Sequence, residues 1–361
     1  MKALIVCLDG CDPEYIKGDL PNFSRLERSF GLAVVPTTTN VNAVSIVTGK
    51  YPKDHGITSN FYYDKRLKRA YYMESPDFIL AESIFERASR MGLRSAMVTA
   101  KEKLRKLLSR GVDLSFSAEA PAGWIVDEVG PPPSIYSAEV NSWLFASFLE
   151  VLRGFNPDLS LLMTTDYVMH KFPPRSEEAR RSMEALDRWL GRLIDYLESQ
   201  SEEFLLFLTA DHGMSEKSRG IDPEKLLRSE GIEALSVPII RDRYVLHHSN
   251  LGGASYIYLR EDEEVDRALE VLSSVDGVEE ALSREEAVSL YNLHPDRIGD
   301  IFLLGEEDVV FGKGEGEFFQ VNLRSHGSLH EREIPIFSYG GPFNVKENKD
   351  IAPLVLDWLI G

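Results

Sequence analysis

The chain has 361 residues, with 58 Asp/Glu against 40 Lys/Arg, a formal net charge of −18 and 43% hydrophobic residues. That composition is globular and excludes a disordered tail. The acidic excess argues against a binder of nucleic-acid polymers that works through a basic surface, and no stretch reaches the ~20 apolar residues of a membrane span.

Met1-Lys2 runs straight into the apolar stretch 3–8, which reads as a buried strand rather than a signal peptide. Cys7 and Cys11 are the only thiols and fit no metal or redox spacing. The expectation is a cytoplasmic protein with two structural or incidental cysteines. The turn Val35-Pro36-Thr37-Thr38-Thr39-Asn40 then opens an apolar helix. Its N–H groups and hydroxyls suit an anion or a plain N-cap, and spacing alone does not choose among Thr37, Thr38 and Thr39. A second strand at 93–99 leads into Ala100-Lys101-Glu102-Lys103. A helix at 141–155 precedes a third strand at 159–165, which ends in Asp166 with His170 four residues on. A helix at 178–199 places Met183, Leu186, Leu190, Leu193 and Leu197 on one stripe. A fourth strand at 204–210 leads to Asp211-His212-Gly213, and Ser325-His326-Gly327 precedes a fifth at 334–339.

Each of these strands is a near-continuous apolar run, as expected of parallel strands buried on both faces. Alternation with helices predicts an α/β fold with a doubly wound, mostly parallel sheet. Residues 216–322 break that rhythm with a strand at 254–259, a helix at 265–275, a short segment at 278–282, a short helix at 284–291 and a strand at 300–304. They are expected to form a small inserted α+β cap subdomain within a metal-binding core made of 1–215 and 323–361. The stretch 261–308 carries sixteen Asp/Glu and three Arg and reads as solvated surface.

In open α/β sheets, ligands bind beyond the carboxyl ends of the strands. Asp9, Asp166, His170, Asp211 and His212 all follow strands, and His326 precedes one. Singly, each has an ordinary explanation, such as an Asp-Gly turn or a satisfied histidine. Together, three carboxylates and three imidazoles at one sheet edge would repel and desolvate one another without a cation. The donor set suits zinc and similar divalent ions. Six such groups and a hydroxyl suffice for two metals, the arrangement used for in-line displacement at phosphorus.

Asp9-Gly10, Thr39 with Asn42, Val47-Thr48-Gly49, His55-Gly56-Ile57, Asp166…His170, Asp211-His212-Gly213 and His326-Gly327 together resemble the alkaline phosphatase superfamily. The closer branch is the nucleotide pyrophosphatase/phosphodiesterase group. Within it, Thr39-Asn40 leading to Ser45–Gly49, Thr99–Arg105, Thr164–Lys171 and Thr209–Met214 look most like the phosphonoacetate hydrolase subfamily. Stretches 244–253 and 296–300 also look similar. The resemblance implies two zinc ions per chain, one held by Asp9, Asp211 and His212 with Thr39 as nucleophile, the other by Asp166, His170 and His326. It implies that Asn60 and Asn42 bind substrate, and that Lys101 and Lys103 hold a substrate carboxylate. His55 is expected to be structural, and His247, His248, His294 and His330 have no role. The implied activity is hydrolysis of a small anionic phosphonate, phosphonoacetate to acetate and phosphate through a phosphothreonine. A phosphodiesterase or nucleotide pyrophosphatase on the same metals is the alternative, with Phe61, Tyr62 and Tyr63 as an aromatic slot for a base. A non-catalytic binding member would have lost a ligand or the nucleophile, and none is missing. A homodimer is compatible with this reading. The subfamily's Pro and two Asn after Thr39-Asn40 are replaced here by Val41, Asn42 and Ala43, which removes a polar group near the nucleophile.

Overall fold

The computed structural model describes residues 1–243, 250–341 and 343–361; His247, His248 and most of the 244–253 stretch lie outside the described residues. A seven-stranded sheet runs in the order Glu27–Leu32, Glu333–Tyr339, Phe204–Thr209, Lys2–Cys7, Leu159–Met163, Ser95–Thr99, Leu114–Ser117. The last five pair in parallel. Residues of the Lys2–Cys7 strand alternate between two cores. Leu4 and Val6 pack with the helices Val140–Gly154 and Glu177–Glu198, whereas Ala3, Ile5 and Cys7 pack with Thr39–Thr48, Ile84–Arg90 and Ile351–Ile360. Burial on both faces is why these strands read as unbroken apolar runs.

The Glu333–Tyr339 strand departs from the parallel expectation: it is antiparallel to both neighbours. The chain re-enters the sheet from Phe318–Ser325 and His326, at the end where the parallel strands finish, so it can only run back the other way. The Glu27–Leu32 edge strand, unpredicted, pairs with it along its length, and Leu32 also bridges Glu347. Helix Glu177–Glu198 buries Met183, Leu186, Leu190, Leu193, Ile194 and Leu197, each contributing about 2 kcal/mol of apolar burial before entropy. Its Ser176 caps the Ala179 N–H, and buried Asp187 accepts the N–H groups of Asn22 and Phe23.

A four-stranded sheet (Ala234–Pro238, Ala254–Leu259, Ile301–Gly305, Val278–Ser283) and a three-stranded one (Val309–Phe311, Ser215–Ile221, Phe318–Ser325) draw only on residues 215–325. Helices Val265–Ser273 and Arg284–Tyr291 belong to the same stretch. Its acidic run is largely exposed, and Arg219 gathers Asp276, Glu306 and Asp308 at the surface; buried Asp300 departs from this and accepts from Lys65, Arg284 and the Leu259 N–H.

Candidate active site

Strand register sets the site. Cys7 lies opposite Thr209 and Met163, so two residues further on Asp9 and Asp211 stand level, with Asp166 close by. Gly10, at φ +70°, donates its N–H to Asp211 Oδ1 at 3.0 Å. A Cβ there would sit 3.0 Å from the Asp166 Cβ, in a conformation L side chains rarely adopt. Asp166 precedes the short helix Tyr167–Lys171. Four residues later, His170 returns on the same face, with Nε2 3.0 Å from Asp166 Oδ2. The His212 and His326 rings stack with centroids 3.6 Å apart.

Ligand-capable atoms of Asp9, Asp211 and His212 all lie within 4.8 Å of one another, as do those of Asp166, His212 and His326. The first group is the set expected from sequence. The second contains His212 rather than His170; His170 joins it through Asp166, its ring 5.6 Å from that of His326. All three imidazoles donate Nδ1–H to a backbone carbonyl: His170 to Arg324 at 2.8 Å, His212 to Gly213 at 2.8 Å and His326 to Thr37 at 2.7 Å. That fixes the tautomer with the Nε2 lone pair directed inward, the form a metal takes. Burial lowers the pKa of His212, and burial with His212 and His170 lowers that of His326.

The carboxylates are held against their preference. Burial raises the Asp211 carboxyl to about 6, and burial with Asp166 and Asp211 raises Asp9. Among the described residues no donor hydrogen-bonds the buried Asp9 Oδ2 and Asp211 Oδ2, although the Lys101 ammonium stands 3.5 Å from the former. Orphaned buried carboxylate oxygens beside inward-facing imidazole lone pairs fit a divalent cation, and Asp/His donors suit zinc among others.

The Thr39 hydroxyl stands at this cluster, 3.4 Å from Asp9 Oδ1 and 3.2 Å from His212 Nε2. The other candidate threonines are placed differently. Thr37 donates to the Ser328 carbonyl and accepts the Gly327 N–H, and the buried Thr38 hydroxyl has no hydrogen-bond partner among the described residues. Thr39 begins the helix Thr39–Thr48, which closes at left-handed Gly49.

Asn42, which the resemblance implied as a substrate contact, is buried, and its side chain is engaged within the chain. Its amide accepts the Val34 N–H at 2.7 Å and an Asn348 Nδ2–H at 2.9 Å, and donates to the carbonyls of Val34, Pro36 and Thr38. Every polar atom is spent on building the turn that presents Thr39. His55 is fully buried, facing Ser45 at 2.9 Å and accepting the Ile57 N–H at 3.1 Å. Burial lowers its pKa to about 3, so it is a neutral tie between helix and loop, as expected.

A cavity of about 20 Å³ adjoins the cluster, bounded by Thr39, Asn60, Lys101, Lys103, Ile240 and Asp242 among others. Lys101 points at the carboxylates, 2.9 Å from Asp166 Oδ1 and 3.5 Å from Asp9 Oδ2. Burial opposes its charge, but Asp166 and Asp9 outweigh burial and raise its pKa. Lys103 pairs with Asp242, and Asn60 Nδ2 donates to the same Asp242 oxygen at 3.2 Å. Asn40 also lines the cavity. No role was expected for Asp242 or Asn40, although Asn40 adjoins Thr39 in a motif that carries the resemblance and Asp242 lies two residues before the similar stretch 244–253. Phe61, Tyr62 and Tyr63 do not line this cavity. They pack on Tyr72, Tyr71 and Tyr258. Cys7 and Cys11 are buried free thiols whose pKa burial raises.

Paired Asp/His clusters at the carboxyl edge of a mostly parallel sheet define a candidate two-metal phosphoryl site of the alkaline phosphatase kind. The type I phosphodiesterase / nucleotide pyrophosphatase family model matches residues 3–329, and the chain belongs to that family, within the alkaline phosphatase superfamily. Among solved structures, a phosphonoacetate hydrolase from Sinorhizobium meliloti 1021, in complex with phosphonoacetate, is 34% identical with a TM-score of 0.89, covering 99% of this chain and 96% of that one. Murine ectonucleotide pyrophosphatase/phosphodiesterase 5 superposes with a TM-score of 0.73 at 20% identity, over 100% of this chain and 95% of that one, a likeness of fold. Venom phosphodiesterase of Naja atra is 28% identical over 228 residues, 58% of this chain and 26% of its own length. The match thus spans about a quarter of that relative. No helix among the described residues is long and apolar enough to cross a membrane.

Proposed function

We propose that this chain is a metal-dependent hydrolase of carboxylated phosphonates, converting phosphonoacetate to acetate and phosphate. In this reading Asp9, Asp211, His212 and Thr39 hold one zinc ion, and Asp166, His170 and His326 hold a second. Such ions would lower the pKa of a hydroxyl and neutralise phosphoryl oxygens. Thr39 Oγ1 attacks phosphorus, forming a P–O bond as the P–C bond breaks and leaving phosphothreonine. The departing electron pair is delocalised onto the carboxylate as an enolate, which takes a proton from water to give acetate. Lys101 and Lys103 stabilise the charge that grows in that transition state. Asn60 contacts the phosphoryl group, and water then releases phosphate from Thr39. Residues 216–322 act as the cap.

The observation that carries this reading is that the Thr39 hydroxyl and both lysines border one small cavity. A diester has no carboxylate for two ammonium groups to hold. The phosphodiesterase reading is favoured by the venom relative, but the aromatic side chains it needs are packed elsewhere. The discriminating experiment gives the zinc-loaded protein phosphonoacetate and bis(4-nitrophenyl) phosphate side by side. Phosphate release from phosphonoacetate, lost in Lys101→Ala/Lys103→Ala, is expected. Rapid nitrophenol release with inert phosphonoacetate would replace this reading with a diesterase.

A further inference from the structure

Asp242 lies on the far side of the cavity from the carboxylate cluster, in the stretch that forms the small sheets. Its carboxylate engages Lys103 Nζ and Asn60 Nδ2 at one oxygen. These are two of the groups that the phosphonate reading gives to substrate. Its backbone is fixed, because Asn250 accepts the Asp242 N–H at 3.0 Å and donates back to its carbonyl at 3.4 Å. Lys103 and Asn60 come from the core, on the helix Glu102–Leu107 and just before the strand Phe61–Asp64. The contact therefore joins the core to the 215–325 stretch.

The cavity, at about 20 Å³, has room for roughly one water. A ligand with both a phosphonate and a carboxylate cannot enter until part of the wall moves. The imidazole walls are tied to backbone carbonyls, whereas Asp242 meets Lys103 and Asn60 through side chains alone.

We propose that Asp242 is an internal competitor that stands in for the substrate's carboxylate, neutralising Lys103 and occupying Asn60 until a ligand carboxylate replaces it. The inference rests on the phosphonate reading of the site. Exchange of one carboxylate for another leaves Lys103 paired throughout. Asp242 competes with the ligand for the same donors, so its removal tightens binding of a carboxylated ligand. A residue that merely positioned Lys103 would have the opposite effect.

The test is calorimetric titration of full-length, zinc-loaded protein carrying Thr39→Ala, which prevents turnover, with and without Asp242→Ala. The two ligands are phosphonoacetate and methylphosphonate, which carries no carboxylate to compete with Asp242 for Lys103. Phosphonoacetate is expected to bind about tenfold more tightly without Asp242, with methylphosphonate unchanged; tenfold corresponds to about 1.4 kcal/mol. Asp242→Asn, which keeps the shape and loses the charge, is expected to shift phosphonoacetate in the same direction and serves if the alanine variant folds poorly. Weaker or unchanged phosphonoacetate binding in both variants overturns the proposal. If the Thr39→Ala protein binds bis(4-nitrophenyl) phosphate but not phosphonoacetate, with or without Asp242, the phosphonate reading falls and takes this inference with it.

Discussion

The two sides of the cavity are built on different principles. On the sheet side, each histidine is tied by Nδ1 to a main-chain carbonyl, and Asp211 accepts the Gly10 N–H. Strand pairing sets these positions to within the rigidity of the core. On the opposite side, Asp242 meets Lys103 and Asn60 through side-chain atoms only. Groups that must face developing charge gain from being preorganised. Groups that select a ligand must be able to exchange partners. On the proposed reading, chemistry is located in the sheet edge and ligand exchange at the contact between Asp242 and the core residues Lys103 and Asn60, and substitutions on each side should separate the two.

The largest effect is expected on the sheet side. Thr39→Ala should lower turnover on the order of 10⁴-fold while the protein still takes up zinc, measured by metal analysis beside the assay. Retained turnover would remove Thr39 as nucleophile.

Asn42→Ala comes next. It strands the Val34 N–H and several carbonyls in the interior, at a cost of about 3 kcal/mol, read by urea unfolding. A loss under ~1 kcal/mol would mean that the turn before Thr39 does not depend on this amide.

His55 tests the same side through pH. Its folded-state pKa is lowered to about 3 against ~6.5 when unfolded. Above 6.5 both states are neutral and nothing is lost. Below it the unfolded chain takes a proton that the folded chain refuses, so stability falls as pH drops towards 3. Metal-free protein should lose about 2 kcal/mol more than its His55→Asn variant between pH 7 and 5. Parallel profiles for the two proteins would contradict the buried neutral assignment.

The smallest effect belongs to the 215–325 surface. Arg260 and Glu233 form an exposed pair, and Arg260→Ala should leave the unfolding midpoint where it was. A clear drop would show that this surface is more tightly bound into the fold than its exposure suggests.

Much of the sheet side was legible because each ligand follows a strand that is apolar on both faces, and Asp166 and His170 carry helical spacing in the chain itself. The direction of Glu333–Tyr339 was not, because its Ile-Pro-Ile-Phe run looks the same in either orientation and only the path of the preceding chain decides it. Glu27–Leu32 was hidden by being an edge strand, with Phe30 and Leu32 exposed and charges at its start. The partners of Asn42 were not legible, because the resemblance marks the residue while the carbonyls and the N–H that its amide engages are visible only in three dimensions. Asp242 left no trace for a related reason: it meets Lys103 across 139 positions of sequence.

The placement of Glu333–Tyr339 between Glu27–Leu32 and Phe204–Thr209 also has a consequence for biosynthesis. Strand Glu27–Leu32 emerges from the ribosome about 300 residues before its partner. At ~5–20 residues per second, that is roughly 15–60 s. His326 is made only shortly before that strand, so the Asp166–His212–His326 cluster and the closing of the sheet both wait until residues 326–339 have been made. During that interval a half-built sheet shows Phe30, Leu32 and the open edge of Phe204–Thr209 to other chains. Expression yield at high synthesis rates should therefore respond more to substitutions in Glu27–Leu32 than the modest burial of that strand in the finished protein would suggest.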